Sequence, residues 1–273
     1  MASVNSELNP LGQKSEYKDV YDASLLFPIA RDESWKLSGH DRNAVTFYGT
    51  DIWNGYEISW LNPKGKPVVY MAEFHIPADS PYLIESKSFK LYLNSFNQSK
   101  FENKDSVIQR MQTDLSQVAG GDVRVILHEV DAQFPKPPEA HCIDHLDVEI
   151  HTYQPDASLL KTAAGNYQGW IKSHLLKSNC PVTGQPDWGS LYIYYEGQKI
   201  DESSLLAYIV SLRQHQGFHE QCVEQVFHDL TKHCQPSKLT VYARYVRRGG
   251  LDINPFRSSS PEEQAVNFAL TRQ

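Results

Sequence analysis

The chain has no run of about 18 apolar residues, so nothing in it reads as a membrane-spanning helix. The stretch from Met1 to Lys14 is polar and lacks the apolar core of a secretory signal, which leads us to expect a cytoplasmic protein. Cysteine is sparse: Cys142, Cys180, Cys222 and Cys234 are irregularly spaced, with no Cys-x-x-Cys. In a reducing compartment they are expected to be free thiols. Positive charge is also short, with 26 Lys and Arg against 33 Asp and Glu and a net charge of -7. Such a chain is poorly suited to holding nucleic acid by its phosphates, so a partner of that chemistry is expected to be a free base or nucleotide. Neither Gly-x-Gly-x-x-Gly nor Gly-x-x-x-x-Gly-Lys-Ser/Thr occurs, which removes the Rossmann and P-loop fingerprints.

What is present is ordinary globular composition over 273 residues, enough for one large domain or two smaller ones. Tyr56, Ile58 and Trp60 alternate with Glu57 and Ser59. Asn62-Pro63-Lys64-Gly65 then supplies turn chemistry, and Val68 to Ile76 resumes, which predicts a hairpin. Phe89, Tyr92, Leu93 and Phe96 fall at helical spacing, with Ser86 or Ser88 available as the cap. Val107, Ile108, Met111, Leu115 and Val118 mark a second helix, and Val123 to Val130 a further strand. The second half repeats this order: strands flank Pro181 to Pro186 and include Leu191 to Tyr195. Helices follow on Leu205, Leu206, Ile209 and Leu212 and on Val223, Val226, Phe227 and Leu230. Leu239 to Tyr245 closes as a strand.

The two halves also align by residue. Ile84 to Phe96 lies over Ile200 to Leu212, and Gly65-Lys66-Pro67 over Gly184-Gln185-Pro186, which puts Leu61 near the position of Cys180. An internal duplication follows, of class α+β, with antiparallel sheets backed by helices. We expect an arm over 1–45, a first module over 46–135, a linker and strand segment over 136–165, and a second module over 166–273.

Four constellations bear chemistry. Cys180 sits in the turn-rich run Ser178 to Asp187, where a thiolate nucleophile and a carboxylic acid lie seven residues apart. A hairpin with a buried thiol and a surface carboxylate has the same pattern. His219 and Glu220 open a helix, with His219 on the side of Cys222 and Val223, facing a pocket or simply favouring the helix dipole. Glu85-Ser86-Lys87-Ser88-Phe89-Lys90 crowds a helix N-terminus whose free N–H groups suit an anion, or is a capped, solvated helix start. Arg244, Arg247, Arg248, Gly249, Gly250 and Arg257 suit phosphate binding, or form a solvated strand end. His141, Cys142 and His145 suggest a metal but lack a fourth ligand, and His145 to Ile150 alternates like a strand, so no metal is expected.

Together these runs resemble the bimodular 7-cyano-7-deazaguanine reductases of the queuosine pathway. The run Glu85 to Phe96 resembles that family's signature. Ser178 to Asp187, Phe218 to Cys222, Arg247 to Pro255 and Tyr21 to Leu26 match as well. The resemblance implies two tandem tunnelling-fold modules, a homodimer, and NADPH-dependent reduction of a nitrile to a primary amine through a cysteine thioimide, in the biosynthesis of a tRNA modification. It implies Cys180 as nucleophile and Asp187 as proton donor. Ile84, Glu85, Ser86, His219 and Glu220 would hold the deazapurine, and Ser86, Lys87, Arg248 and Gly249 would contact NADPH. With no cysteine at the first repeat's equivalent of Cys180, one composite site per chain is expected. Two rivals use the same residues: a thiol hydrolase that releases ammonia without consuming NADPH, and a non-catalytic purine or pterin binder.

Overall fold

The computed structural model describes residues 17–37 and 41–273. The turn formers Asn9 to Gly12 and the polar Met1 to Lys14 lie outside the described residues. The chain divides into two compact units; of the described residues, the first takes 17–37, 51–133 and 247–252, the second 41–50, 134–246 and 253–273.

The first unit contains β1 (Pro28–Ala30), α1 (Arg31–Leu37), most of β2 (Tyr48–Leu61), β3 (Pro67–Pro77), β4 (Tyr82–Ile84), α2 (Ser86–Asn94), α3 (Lys104–Ala119) and β5 (Arg124–His128). β3 lies between β2 and β5 and runs antiparallel to β5, while β1 pairs antiparallel with β4. The apolar stripe of α2 is buried as its spacing requires, with Phe89, Tyr92 and Phe96 fully enclosed. The cap is not a serine. Glu85 occupies the N-cap and accepts from the backbone N–H groups of Lys87 and Ser88, both at 2.7 Å.

The second unit contains β6 (His141–Cys142), β7 (Thr162–Asn179), β8 (Pro186–Ile200), α4 (Glu202–Ser211), α5 (His219–Cys234), β9 (Lys238–Tyr245) and most of β10 (Leu251–Ser258). Its strand order is β10-β9-β8-β7-β6. The sheet is antiparallel except at its edge, where β6 pairs parallel to β7, a departure from the all-antiparallel expectation. The alternating run His145 to Ile150 is not a strand. Leu146 and Val148 pack on the unit's apolar core, so their alternation records burial without pairing.

The element order repeats down to single hydrogen bonds. Asp22-Ala23-Ser24-Leu25-Leu26 and Asp156-Ala157-Ser158-Leu159-Leu160 each form one 3-10 turn capped by the aspartate. The Asp22 N–H donates to Ser95 Oγ, and the Asp156 N–H to Ser211 Oγ. Tyr92 donates to Asp114 at 2.7 Å, and Tyr208 to Asp229 at 2.6 Å. The repeat therefore begins inside the segments assigned to an arm and a linker. No helix among the described residues is long and apolar enough to cross a membrane.

Candidate active site

In the second unit, β7 and β8 meet across a short loop that carries Cys180. The Cys180 N–H donates to the Gln185 carbonyl at 2.9 Å, and the Gly184 N–H returns to the Cys180 carbonyl at 3.0 Å. Gly184 sits at φ +67, where a side chain would be strained. One residue before the thiol, the Asn179 backbone clasps the segment after α4: its N–H donates to the His215 carbonyl, and its carbonyl accepts from the Gly217 N–H. The Cys180 backbone is thus held on both sides, and the residue is 7% exposed.

Asp187 enters β8 directly opposite Ser178 and is buried. His219, the first residue of α5, brings Nε2 to 3.5 Å from Asp187 Oδ1. The imidazole packs edge-on against Tyr245, with ring centroids 4.1 Å apart. Glu220 is buried in the first turn of the same helix, where the dipole favours its charge. Three further groups of this centre were given no chemical role from the sequence. Tyr245, Ser178 and Cys222 face one another beneath His219. Burial pushes the Cys222 thiol up to about 11 and the Tyr245 hydroxyl well above its usual value. Their signal was sequence position alone: Ser178 pairs with Asp187, and Cys222 falls one turn after His219.

In the first unit, Ile84 ends β4, and Glu85 follows, 1% exposed, as the cap of α2. Burial raises its carboxyl above the usual range, opposed by the two N–H donors and by Lys90 and Lys87. The α2 amides of Lys87 and Ser88 are therefore engaged by Glu85, which corrects the expectation of free N–H groups for an anion there. Ser86 and Lys87 are half-buried beside them.

The glycine pair meets a conformational requirement of its own. Gly249 and Gly250 take φ +60 and +76, the two left-handed positions of a tight turn closed by the Arg248 N–H on the Leu251 carbonyl at 2.9 Å. Lys90 lies against Gly249, 3.4 Å from where a Cβ would stand. Arg247 stacks on the Tyr56 ring at 4.1 Å, and the Tyr56 hydroxyl donates to Asp252 at 2.5 Å. Two members of the predicted arginine cluster belong elsewhere. Arg257 is fully buried on Glu224 at 2.7 Å, and Arg244 is fully buried on Tyr242, Asn267 and Gln273. Both are spent on the second unit's interior.

A family model described as the nitrile reductase, 7-cyano-7-deazaguanine-reductase N-terminal region, matches residues 17–127, and one described as QueF-like protein matches 186–264. A curated relative from Azoarcus sp. (strain BH72), named NADPH-dependent 7-cyano-7-deazaguanine reductase, is 53% identical over 98% of this chain and 96% of its own. This chain belongs to that family. A reductase of the same name from Hydrogenovibrio crunogenus is 54% identical over 96% of both chains, and one from Paraburkholderia phymatum 52% over 99% and 100%. The family signature read from Glu85 to Phe96 falls within the first matched region, and Asp187, His219 and Glu220 within the second.

Proposed function

We propose that this chain reduces the nitrile of 7-cyano-7-deazaguanine to the aminomethyl group of 7-aminomethyl-7-deazaguanine, with Cys180 as nucleophile and Asp187 as proton donor. The observation that carries the reading is a hairpin whose backbone bonds hold Cys180 two residues beyond Ser178, the ladder partner of buried Asp187, which is itself 3.5 Å from His219. A nitrile carbon is electrophilic but has no leaving group. Addition of the Cys180 thiolate, with a proton from Asp187 to the nitrile nitrogen, gives a thioimide, a better hydride acceptor. NADPH, held by Ser86, Lys87, Arg248 and Gly249, would supply the two hydrides that the thioimide and then the imine require, with Cys180 departing as thiolate between the two. Asp187, reprotonated from solvent, gives a second proton to the nitrogen as the imine becomes the amine, so two protons and two hydrides balance nitrile to amine. We assign contacts to the base to His219 and Glu220 of the second unit and to Ile84, Glu85 and Ser86 of the first, and the reactive imine must be kept from water.

The residues assigned to NADPH fit an anionic cofactor. Lys90 lies beside Gly249, and Lys87 and Arg248 add two further cations in the same unit. We assign phosphate contacts to Ser86, Lys87, Arg248 and Gly249. One site per chain follows, because the first unit carries no thiol at the corresponding turn. The finer architecture we infer is two tandem tunnelling modules in a cytoplasmic homodimer, which acts on a free deazapurine within queuosine biosynthesis and binds no nucleic acid directly. The duplicated hydrogen bonds support two modules, and the resemblance supports the rest.

Turnover of 7-cyano-7-deazaguanine with NADPH tests the reading. We expect two NADPH oxidised per amine formed. Ammonia release without NADPH oxidation would make the chain a hydrolase instead.

A further inference from the structure

The sequence motif His141-Cys142-Ile143-Asp144-His145 lacks a complete ligand set of its own, and the reductase chemistry leaves it unused. In the second unit the ligand set is different from the one the motif suggests. His141 turns to Glu202, with Nε2 3.1 Å from its carboxylate, and His145 packs against the His141 ring. Cys142 and Asp144 instead meet His174, which is about 30 residues further along the chain, on β7. One donor atom from each of the three lies within 4.8 Å of the other two.

Three local features build this arrangement. First, β6 pairs parallel with β7, Cys142 against Lys172, and the Ile143 N–H donates to the Lys172 carbonyl, which fixes the segment beside β7. Second, β7 has a bulge between Ser173 and Leu176, so that His174 and Leu175 both stand opposite Ser190. Bulges re-aim side chains. Here the His174 ring holds Ser190 Oγ at 2.8 Å through Nδ1, the kind of outer contact that orients a metal-binding imidazole. Third, Asp144 Oδ2 accepts the His174 N–H at 2.8 Å, while Asp144 Oδ1 is buried with no hydrogen-bond partner among the described residues. A buried carboxylate oxygen without a donor calls for one, or for a cation.

We propose that Cys142, Asp144 and His174 form a site for a divalent cation of the zinc class, a structural clamp that ties the segment before the second repeat to the β7 bulge. Thiolate, imidazole and carboxylate are the mixed donor set that zinc accepts, with water in a fourth position. Neighbouring donors around a tetrahedral zinc stand about 3.5 Å apart, so a contraction of about 1 Å closes the site. Binding displaces the Cys142 proton to solvent, and the two anionic ligands offset the ion's charge. Arg272, which donates to Ser190 Oγ and to the His174 carbonyl, is a cation on the His174 side of the site, and the Lys172 ammonium also acts on the His174 ring. Two anionic ligands are what allow a cation beside these charges.

The test is cobalt(II) titration of the metal-stripped full-length protein, with zinc(II) competition and melting temperature as second readouts. Wild type and Cys180→Ala should each bind one equivalent with a thiolate-to-cobalt absorption band, and zinc should raise their melting temperature by mass action. Cys142→Ser should lose the band and the zinc shift while keeping nitrile reductase turnover. His174→Gln should weaken binding by tenfold or more. The proposal is overturned by absence of stoichiometric binding in wild type. It is equally overturned by a band that survives Cys142→Ser, or by one that disappears with Cys180→Ala and so belongs to the nucleophile.

Discussion

The hairpin turns of the two units share a hydrogen-bond frame and differ in what they carry. In the first unit the Asn62 N–H donates to the Lys66 carbonyl at 2.9 Å, and the Gly65 N–H returns to Asn62 at 2.8 Å. In the second unit Cys180 and Gln185 make the first of these bonds, and Gly184 and Cys180 the second. The residue before each turn bridges the segment after the first repeat helix, Leu61 with Lys100 and Asn179 with Gln216. Cys180 therefore corresponds to Asn62, one residue beyond the Leu61 that ungapped alignment indicates, because the second loop is one residue longer.

The following helices differ in the same way. α3 opens with a capping box, Asn103 Oδ1 accepting from the Ser106 N–H at 2.9 Å. α5 opens on Phe218 with no side-chain cap, followed by His219 and Glu220. A helix that gives up its cap at one copy of a repeat while keeping it at the other marks where function overrides local stability. The first unit holds the scaffold's consistent form, and the second carries the turn proposed to be reactive.

The comparison can be broken by exchange. Asp187→Asn, which keeps shape but cannot give up a proton at neutral pH, should lower turnover by roughly 10²-fold or more. Its counterpart Val68→Thr in the first unit should leave turnover within about threefold. Steady-state rates decide, and an Asp187→Asn protein within about threefold of wild type would remove this residue as the acid. Next in size is Glu85→Leu in a Cys180→Ala background. The base's paired donors then lose their acceptor, at roughly 1–3 kcal/mol per group, so calorimetry should show substrate binding weakened about tenfold or more. Equal affinities would take Glu85 out of base recognition and leave it only its cap.

Two smaller effects test the scaffold. Asn103→Ala removes the cap of α3 and should cost about 1 kcal/mol in denaturant unfolding without changing turnover. Gln235 ends α5 at φ +47, where the first unit has Gly120 at φ +71. Gln235→Gly should therefore stabilise the protein by about 1 kcal/mol, and no gain in the unfolding midpoint would mean that the left-handed cap is already relaxed.

The repeat and the turn that carries Cys180 were legible because turn formers and apolar spacing are local signals. β10 was not legible as a strand. All eight residues of Leu251–Ser258 are buried, and its polar members are satisfied within the fold. Asp252 takes Asn54 and Tyr56, Asn254 takes the Tyr245 N–H, and Arg257 takes Glu224. Alternation reveals a strand with one wet face, and this one has none. The start of each repeat was missed for another reason: Asp22 to Leu26 and Asp156 to Leu160 are five-residue matches without periodicity, displaced from the spacing of the helices. The Glu85 cap went unread because an N-cap is expected from the short polar side chains.

The central claim is that chemistry resides in the second unit's turn, and intact-mass measurement of the protein mixed with 7-cyano-7-deazaguanine, without NADPH, tests it most directly. Wild type should gain the mass of one substrate per chain, and Asn62→Ala should gain the same. Cys180→Ala should gain nothing. An unshifted wild-type mass, or an adduct that persists in Cys180→Ala, would contradict the account.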